Sequence, residues 1–124
     1  MQLLFVEDDA LIREVVSEYL HDHGFDVVEA ATAEDAMLRV VDTPVPPLVV
    51  TDIDLGAGRS GIELADALRE RWPEVAVIFV TGRLDRLDGR CSSPREAALG
   101  KPFRLPQLVA LAQNFLPAKA SSPL

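Results

Sequence analysis

Acidic residues stand where apolar runs stop. Glu7, Asp8 and Asp9 close the run Leu3-Leu4-Phe5-Val6, and Asp52, with Asp54 two places on, closes Leu48-Val49-Val50-Thr51. Two further runs end in other chemistry: Val75 to Val80 in Thr81-Gly82, and Ala97-Ala98-Leu99 in Gly100-Lys101-Pro102. Brought together, these residues would set several carboxylates, one hydroxyl and one ammonium side by side. Clustered carboxylates repel, and their pKa values rise unless a cation compensates. An oxygen-only site with two side-chain acids and open positions suits Mg²⁺, which takes one or two carboxylates and keeps several waters. With its charge neutralised, one carboxylate is able to attack phosphorus and form an aspartyl phosphate. Lys101 would offset charge on the phosphoryl oxygens, while Thr81 and backbone N–H groups would donate hydrogen bonds to them. The chemistry is that of a phosphoryl-transfer pocket.

Alternating strands and helices must position these groups. Leu3 to Val6 reads as a buried strand. Leu11, Ile12, Val15, Val16, Tyr19 and Leu20 recur at helical spacing and predict a helix with that stripe in the core, closed by Gly24 as its C′ residue. Asp26 to Ala30 reads as a second strand. Thr32 caps a second helix with Ala36, Met37, Val40 and Val41 on its apolar face, and Pro44, Pro46 and Pro47 mark a loop. After the strand ending at Asp52, Leu55 to Arg59 is a Gly-rich loop. Ser60-Gly61-Ile62-Glu63 has capping-box form and opens a third helix to about Arg71, with Ile62, Ala65, Leu68 and Trp72 inward. Val75 to Val80 is the strongest strand signal. Arg83 to Arg95 mixes Leu84 and Leu87 with Gly89, Ser92, Ser93 and Pro94, so a fourth helix there is expected to be short or irregular. Ala97 to Leu99 is a weak fifth strand. Pro106 at the first helical position opens a last helix, with Leu108, Val109, Leu111, Ala112 and Phe115 inward and Pro117 at its end.

This alternation implies βαβ units, and so an α/β fold with a doubly wound, five-stranded parallel sheet. Right-handed crossovers put helices on both faces, and the near-continuous apolar strands agree with burial on both sides. In the order 2-1-3-4-5, the ends of strands one, three, four and five meet at one edge. Ligands of such sheets bind beyond the carboxyl ends, at a topological switch point.

Composition narrows the class. The 124 residues suit one domain over 1–117, with 118–124 as a flexible tail. The net charge of −8 argues against broad binding to nucleic acid or an anionic membrane, both of which want basic patches. A single cysteine, Cys91, excludes an internal disulfide framework and a cysteine-based zinc site. No run approaches the roughly 18 apolar residues of a membrane span, and the N-terminus turns acidic too soon for a signal peptide. A small acidic cytoplasmic domain is expected.

Four motifs in order, Val6-Glu7-Asp8-Asp9, Thr51-Asp52-Ile53-Asp54-Leu55, Val80-Thr81-Gly82 and Gly100-Lys101-Pro102-Phe103, resemble those of the receiver domains of two-component response regulators. The resemblance covers roughly Leu3 to Leu116. It implies a flavodoxin-like fold, with Asp52 as phosphoacceptor and Glu7 and Asp8 as the acidic pair, Asp8 the more direct Mg²⁺ ligand. The backbone carbonyl of Asp54 would complete the metal's protein ligands. Thr81 would be the switch hydroxyl and Lys101 the phosphate-pairing lysine, joined to Pro102 by a cis bond. Asp54 and Arg83 would tune phosphoryl lifetime through water access. The implied partners are a sensor histidine kinase or histidine phosphotransfer protein and an unknown downstream protein, with the chain a monomer or weak homodimer.

The chain also departs from the family's pattern. Gly56 replaces the usual proline, which loosens the loop. Ala98 replaces the usual large residue and cannot swing inward, which leaves open whether the family's switch pairing Thr81 with an aromatic side chain operates here. Leu105 falls at the last helix's N-cap position, where it is a poor cap. Asp9 reads as the cap of the first helix, and His21 and His23 as surface residues. The resulting expectation is a stand-alone, non-enzymatic receiver that signals through protein contact. Its rivals are a degenerate receiver acting as a phosphorylation-independent adaptor, and a small-molecule phosphatase or phosphotransferase on the same fold.

Overall fold

The computed structural model describes residues 2–41, 46–56, 58–87 and 94–116. Among these, β1 (Leu3–Val6), β2 (Val27–Ala30), β3 (Leu48–Asp52), β4 (Ala76–Thr81) and β5 (Glu96–Gly100) form one parallel sheet in the order β2-β1-β3-β4-β5. The helices are α1 (Ala10–Asp22), α2 (Ala33–Arg39), α3 (Gly61–Arg71) and α4 (Leu105–Phe115). A single 3-10 turn, Leu84–Leu87, stands where a fourth helix was expected to be short or irregular. The expected tail at 118–124, Pro117, Cys91 and the Gly89-to-Ser93 stretch lie outside the described residues.

Registry carries the site. β1 runs in step with β3, Val6 beside Thr51, and β3 with β4, Asp52 beside Val80. β4 then aligns Thr81 with Gly100 of β5. All strands point the same way, so Glu7, Asp52, Thr81 and Lys101 emerge at one edge.

Two cores flank the sheet. Leu4, Val6, Val49 and Phe79 pack with Ala33, Ala36, Leu64, Ala65 and Leu68 of α2 and α3. Leu3, Phe5, Val50 and Ile78 pack on the other face with Val16 and Leu20 of α1 and with Leu108, Val109 and Ala112 of α4. Arg69 of α3 pairs with the buried Glu96 at the start of β5, and its guanidinium also donates to the Val75 carbonyl at 2.9 Å.

Several ends form as their sequences dictate. Asp9 caps α1 by accepting from Leu11 and Ile12 N–H at 3.0 and 3.1 Å. Thr32 caps α2, and Ser60 and Glu63 close a reciprocal capping box on α3. Gly24, after α1, has the positive φ (93°) that glycine adopts without strain. The last helix differs from expectation. Its N-cap is Arg104, not Leu105, and Gln107 Oε1 accepts from the Arg104 N–H at 2.9 Å.

The apolar stripe of α1 is wider than its buried face. Val16 and Leu20 are buried, but Leu11, Ile12 and Val15 are 69%, 39% and 49% exposed. With 3.6 residues per turn, Val15 lies about 100° round the helix from Val16 and cannot share its contact with the sheet. Val41 is likewise exposed, because α2 has ended at Arg39. Leu64, absent from the expected inward face of α3, is fully buried. Leu20→Ala is expected to lower stability in urea denaturation by about 2–5 kcal/mol. Leu11→Ala should change it by no more than about 0.5 kcal/mol.

Candidate phosphoacceptor site

Asp52 is the last residue of β3 and is buried, with both carboxylate oxygens engaged. Oδ1 accepts from the Asp54 N–H at 3.0 Å, and Oδ2 takes the Lys101 ammonium at 2.5 Å. Lys101 follows β5 directly, and its N–H is tied to the Thr81 carbonyl at 2.8 Å. The bond from Lys101 to Pro102 is cis.

Glu7 leaves β1 and stays buried. Its Oε2 accepts from the Asp9 N–H at 3.1 Å, and its Oε1 lies 3.7 Å from Lys101 Nζ. Arg13 of α1 holds the Glu7 carbonyl at 2.8 Å. Asp8 is exposed and completes the cluster: one carboxylate oxygen from each of Glu7, Asp8 and Asp52 lies within 4.8 Å of the others. This set can hold a metal ion. Three carboxylates, all oxygen donors, match the preferences of a hard divalent cation.

Burial and charge together set the titration of Glu7 and Lys101. Burial pushes the Glu7 carboxyl from the ordinary 4.5 to about 7, against the lowering pull of the Asp9 N–H and Lys101. Burial also works against the Lys101 charge. The bond and charge of Asp52, with Glu7 behind it, outweigh that and hold the ammonium's pKa above the ordinary lysine value.

Thr81 is fully buried at the end of β4, where its hydroxyl oxygen accepts from the Arg83 N–H at 2.9 Å. The structure thus brings Glu7, Asp8, Asp52, Thr81 and Lys101 to one edge. The side chains of Asp54 and Arg83 do not meet. Arg83 turns to Asp85, with both contacts at 3.3 Å, and the carboxylate of Asp54 is taken by Arg86 at 2.5 Å. Ala98 sits beside Phe79 in the β4–β5 register and contributes only a methyl group to the core.

Two contributors were missed from sequence. Arg86 carries no local signal, since its partner is 32 residues away. Gly61 does carry one, a poor helix former at a helix start. A Cβ there would stand 2.1 Å from the Asp52 carbonyl oxygen, so only glycine lets α3 approach the phosphoacceptor strand this closely.

Known proteins share this five-stranded fold. The family model for the response regulator receiver domain matches residues 3–113, and the chain belongs to that family. The transcriptional regulatory protein AruR of Pseudomonas aeruginosa is 36% identical, over 93% of this chain and 49% of its own. The receiver domain of NtrX from Brucella abortus superposes with a TM-score of 0.81 at 28% identity, covering 97% of this chain and 99% of that one. The PhyR receiver domain of Erythrobacter litoralis gives 0.79 at 26% identity, over 99% and 95% of the two chains. The chain spans about half the length, or less, of the curated relatives AruR, ExaE and CssR. Among the described residues, no helix is long and apolar enough to cross a membrane.

The raised Glu7 pKa has a sign. A carboxyl whose folded pKa exceeds its ordinary value favours the folded state when protonated. That stability is full below 4.5 and is lost as the pH rises through about 7. In chelator, thermal melts of the wild type should therefore lose stability from about pH 5 to about pH 8. Glu7→Gln should flatten that slope.

Proposed function

We propose that Asp52 accepts a phosphoryl group from a sensor histidine kinase or a histidine phosphotransfer protein, and that the chain relays this state to a downstream protein. The observation that carries the reading is the Lys101 ammonium at 2.5 Å from Asp52 Oδ2, with Glu7 and Asp8 oxygens gathered round the same carboxylate. Mg²⁺ would be held by Glu7, Asp8, Asp52 and the backbone carbonyl of Asp54. When bound, it neutralises the carboxylates and polarises the phosphoryl oxygens.

The chain's own groups divide the remaining work. An Asp52 carboxylate oxygen forms the new bond to phosphorus while the bond from phosphorus to the donor imidazole nitrogen breaks. The electron pair returns to that imidazole. Lys101 balances the charge on the transferred group, and Thr81 donates its hydroxyl hydrogen to a phosphoryl oxygen. The Asp54 N–H, already directed at Asp52 Oδ1, orients the carboxylate. The new phosphoryl group adds about 1.5 to 2 negative charges at neutral pH. This shifts an existing equilibrium between conformations by its different interactions with each. With Ala98 in β5, the response does not run through an inward-swinging aromatic ring.

The role is that of a cytoplasmic signalling protein, monomeric or weakly dimeric, that modifies itself and turns over no small-molecule substrate. The mass of the intact protein after treatment with acetyl phosphate, or with a phosphorylated kinase, tests the reading. One Mg²⁺-dependent phosphoryl adduct is expected on the wild type and none on Asp52→Asn. No adduct from either donor would instead support a phosphorylation-independent adaptor. Glu7 must also lose its proton before it can bind metal. Mg²⁺ affinity, followed by calorimetry, should weaken as pH falls below about 7.

A further inference from the structure

The Arg86–Asp54 ion pair joins the residue two places beyond Asp52 to the turn after β4, and none of the roles proposed above uses Arg86. Asp54 is seated against the phosphoacceptor, its N–H on Asp52 Oδ1 at 3.0 Å, while its own Oδ1 holds Arg86 Nη1 at 2.5 Å. Arg86 belongs to the turn after β4, and that turn is anchored at several points. Leu87 is buried in the core shared with α2 and α3, and the Arg86 N–H donates to the Arg83 carbonyl at 3.0 Å. The Arg83 N–H in turn rests on the Thr81 hydroxyl oxygen at 2.9 Å. Leu84 lies over Gly100, where a Cβ would meet its Cδ1 at 3.0 Å. The pair therefore links the segment after β3, two residues beyond Asp52, to the turn after β4. Arg83 is committed to Asp85 and takes no part in the link.

We infer that Arg86 is a positioning residue that lengthens the life of phosphorylated Asp52 by holding the Asp54 carboxylate away from attacking water. The inference rests on the reading of Asp52 as phosphoacceptor. In hydrolysis, a water oxygen bonds to phosphorus and the bond from phosphorus to the Asp52 oxygen breaks. Asp52 leaves with the electron pair as a carboxylate, and inorganic phosphate departs. The proton shed by water needs an acceptor. A free Asp54 carboxylate, two residues from the reacting one, can take it and pass it to solvent. Paired with Arg86, that carboxylate is engaged. The two side chains are 41% and 62% exposed, so the effect is modest and screened by salt.

The test compares decay of the phosphoryl adduct, after removal of acetyl phosphate or kinase, by intact mass. Arg86→Ala should decay about fivefold faster than wild type. Arg86→Lys should recover part of the difference. In an Asp54→Ala background, Arg86→Ala should add nothing, because the group it restrains is gone. Raising NaCl should speed wild-type decay towards the Arg86→Ala rate and leave Arg86→Ala itself nearly unchanged. Both side chains lie on the surface, and thermal melts check that each variant folds. The inference is overturned if Arg86→Ala decays at the wild-type rate, or if its gain persists without Asp54. If the wild type takes no adduct from either donor, the reading of Asp52 fails first and this inference falls with it.

Discussion

The contact between Lys101 and the carboxylates of Asp52 and Glu7 sets the terms for the whole carboxyl edge. Lys101 Nζ lies 2.5 Å from Asp52 Oδ2 and 3.7 Å from Glu7 Oε1. It joins three strand ends that are distant in sequence. Two acids buried this close would be hard to keep charged without a cation between them. The lysine offsets part of that cost, and burial still holds the Glu7 pKa above its ordinary value. Glu7 and Asp52, with the exposed Asp8 at the open side, form a set that can hold a metal ion. A parallel sheet is the frame that makes this possible. Each strand delivers its last residue to the same edge, and the two cores fix those ends by packing rather than by the polar groups themselves.

Much of this was legible in the residues. The apolar runs are short and end in charged or hydroxyl groups, so strand ends could be placed without knowing their neighbours. β1, β3 and α3 fall within a residue of where their patterns put them, and Asp9, Thr32 and Ser60 cap the helices that their positions announce. Local patterns fail where the answer depends on what lies across the fold. The apolar residues of α1 do not reveal that only the Val16 and Leu20 side meets the sheet. Arg83 and Arg86 are equally good partners for Asp54 on paper. The 3-10 turn decides between them by turning Arg83 towards Asp85 and Arg86 towards Asp54. Gly61 was visible as part of a capping box, but its close approach to Asp52 was not.

The replacement of a large residue by Ala98 has a structural counterpart nearby. β5 ends at Gly100, and Leu84 of the turn lies against that glycine. Small residues on β5 thus let the segment after β4 settle directly onto the strand. That turn rests on β5 through Leu84 and is tied to the segment after β3 by the Arg86–Asp54 ion pair. Exposed ion pairs are weak and sensitive to ionic strength. A domain built this way is expected to sense its electrostatic surroundings more than one whose switch is an apolar side chain.

Gly61 also bears on how motion travels through the molecule. Its N–H donates to the Ile53 carbonyl at 2.8 Å, and its backbone lies so close to the Asp52 carbonyl that no Cβ fits. Groups already at their closest approach transmit displacement instead of absorbing it. The first turn of α3 and the Asp52 peptide are therefore packed as one piece. By contrast, the glycines at 56 and 58, with φ of 73° and 91°, lie in the connecting loop. The stiff joint is at the helix and the compliant one in the loop, so a change at Asp52 would reach α3 as a rotation of the whole helix rather than a local bend.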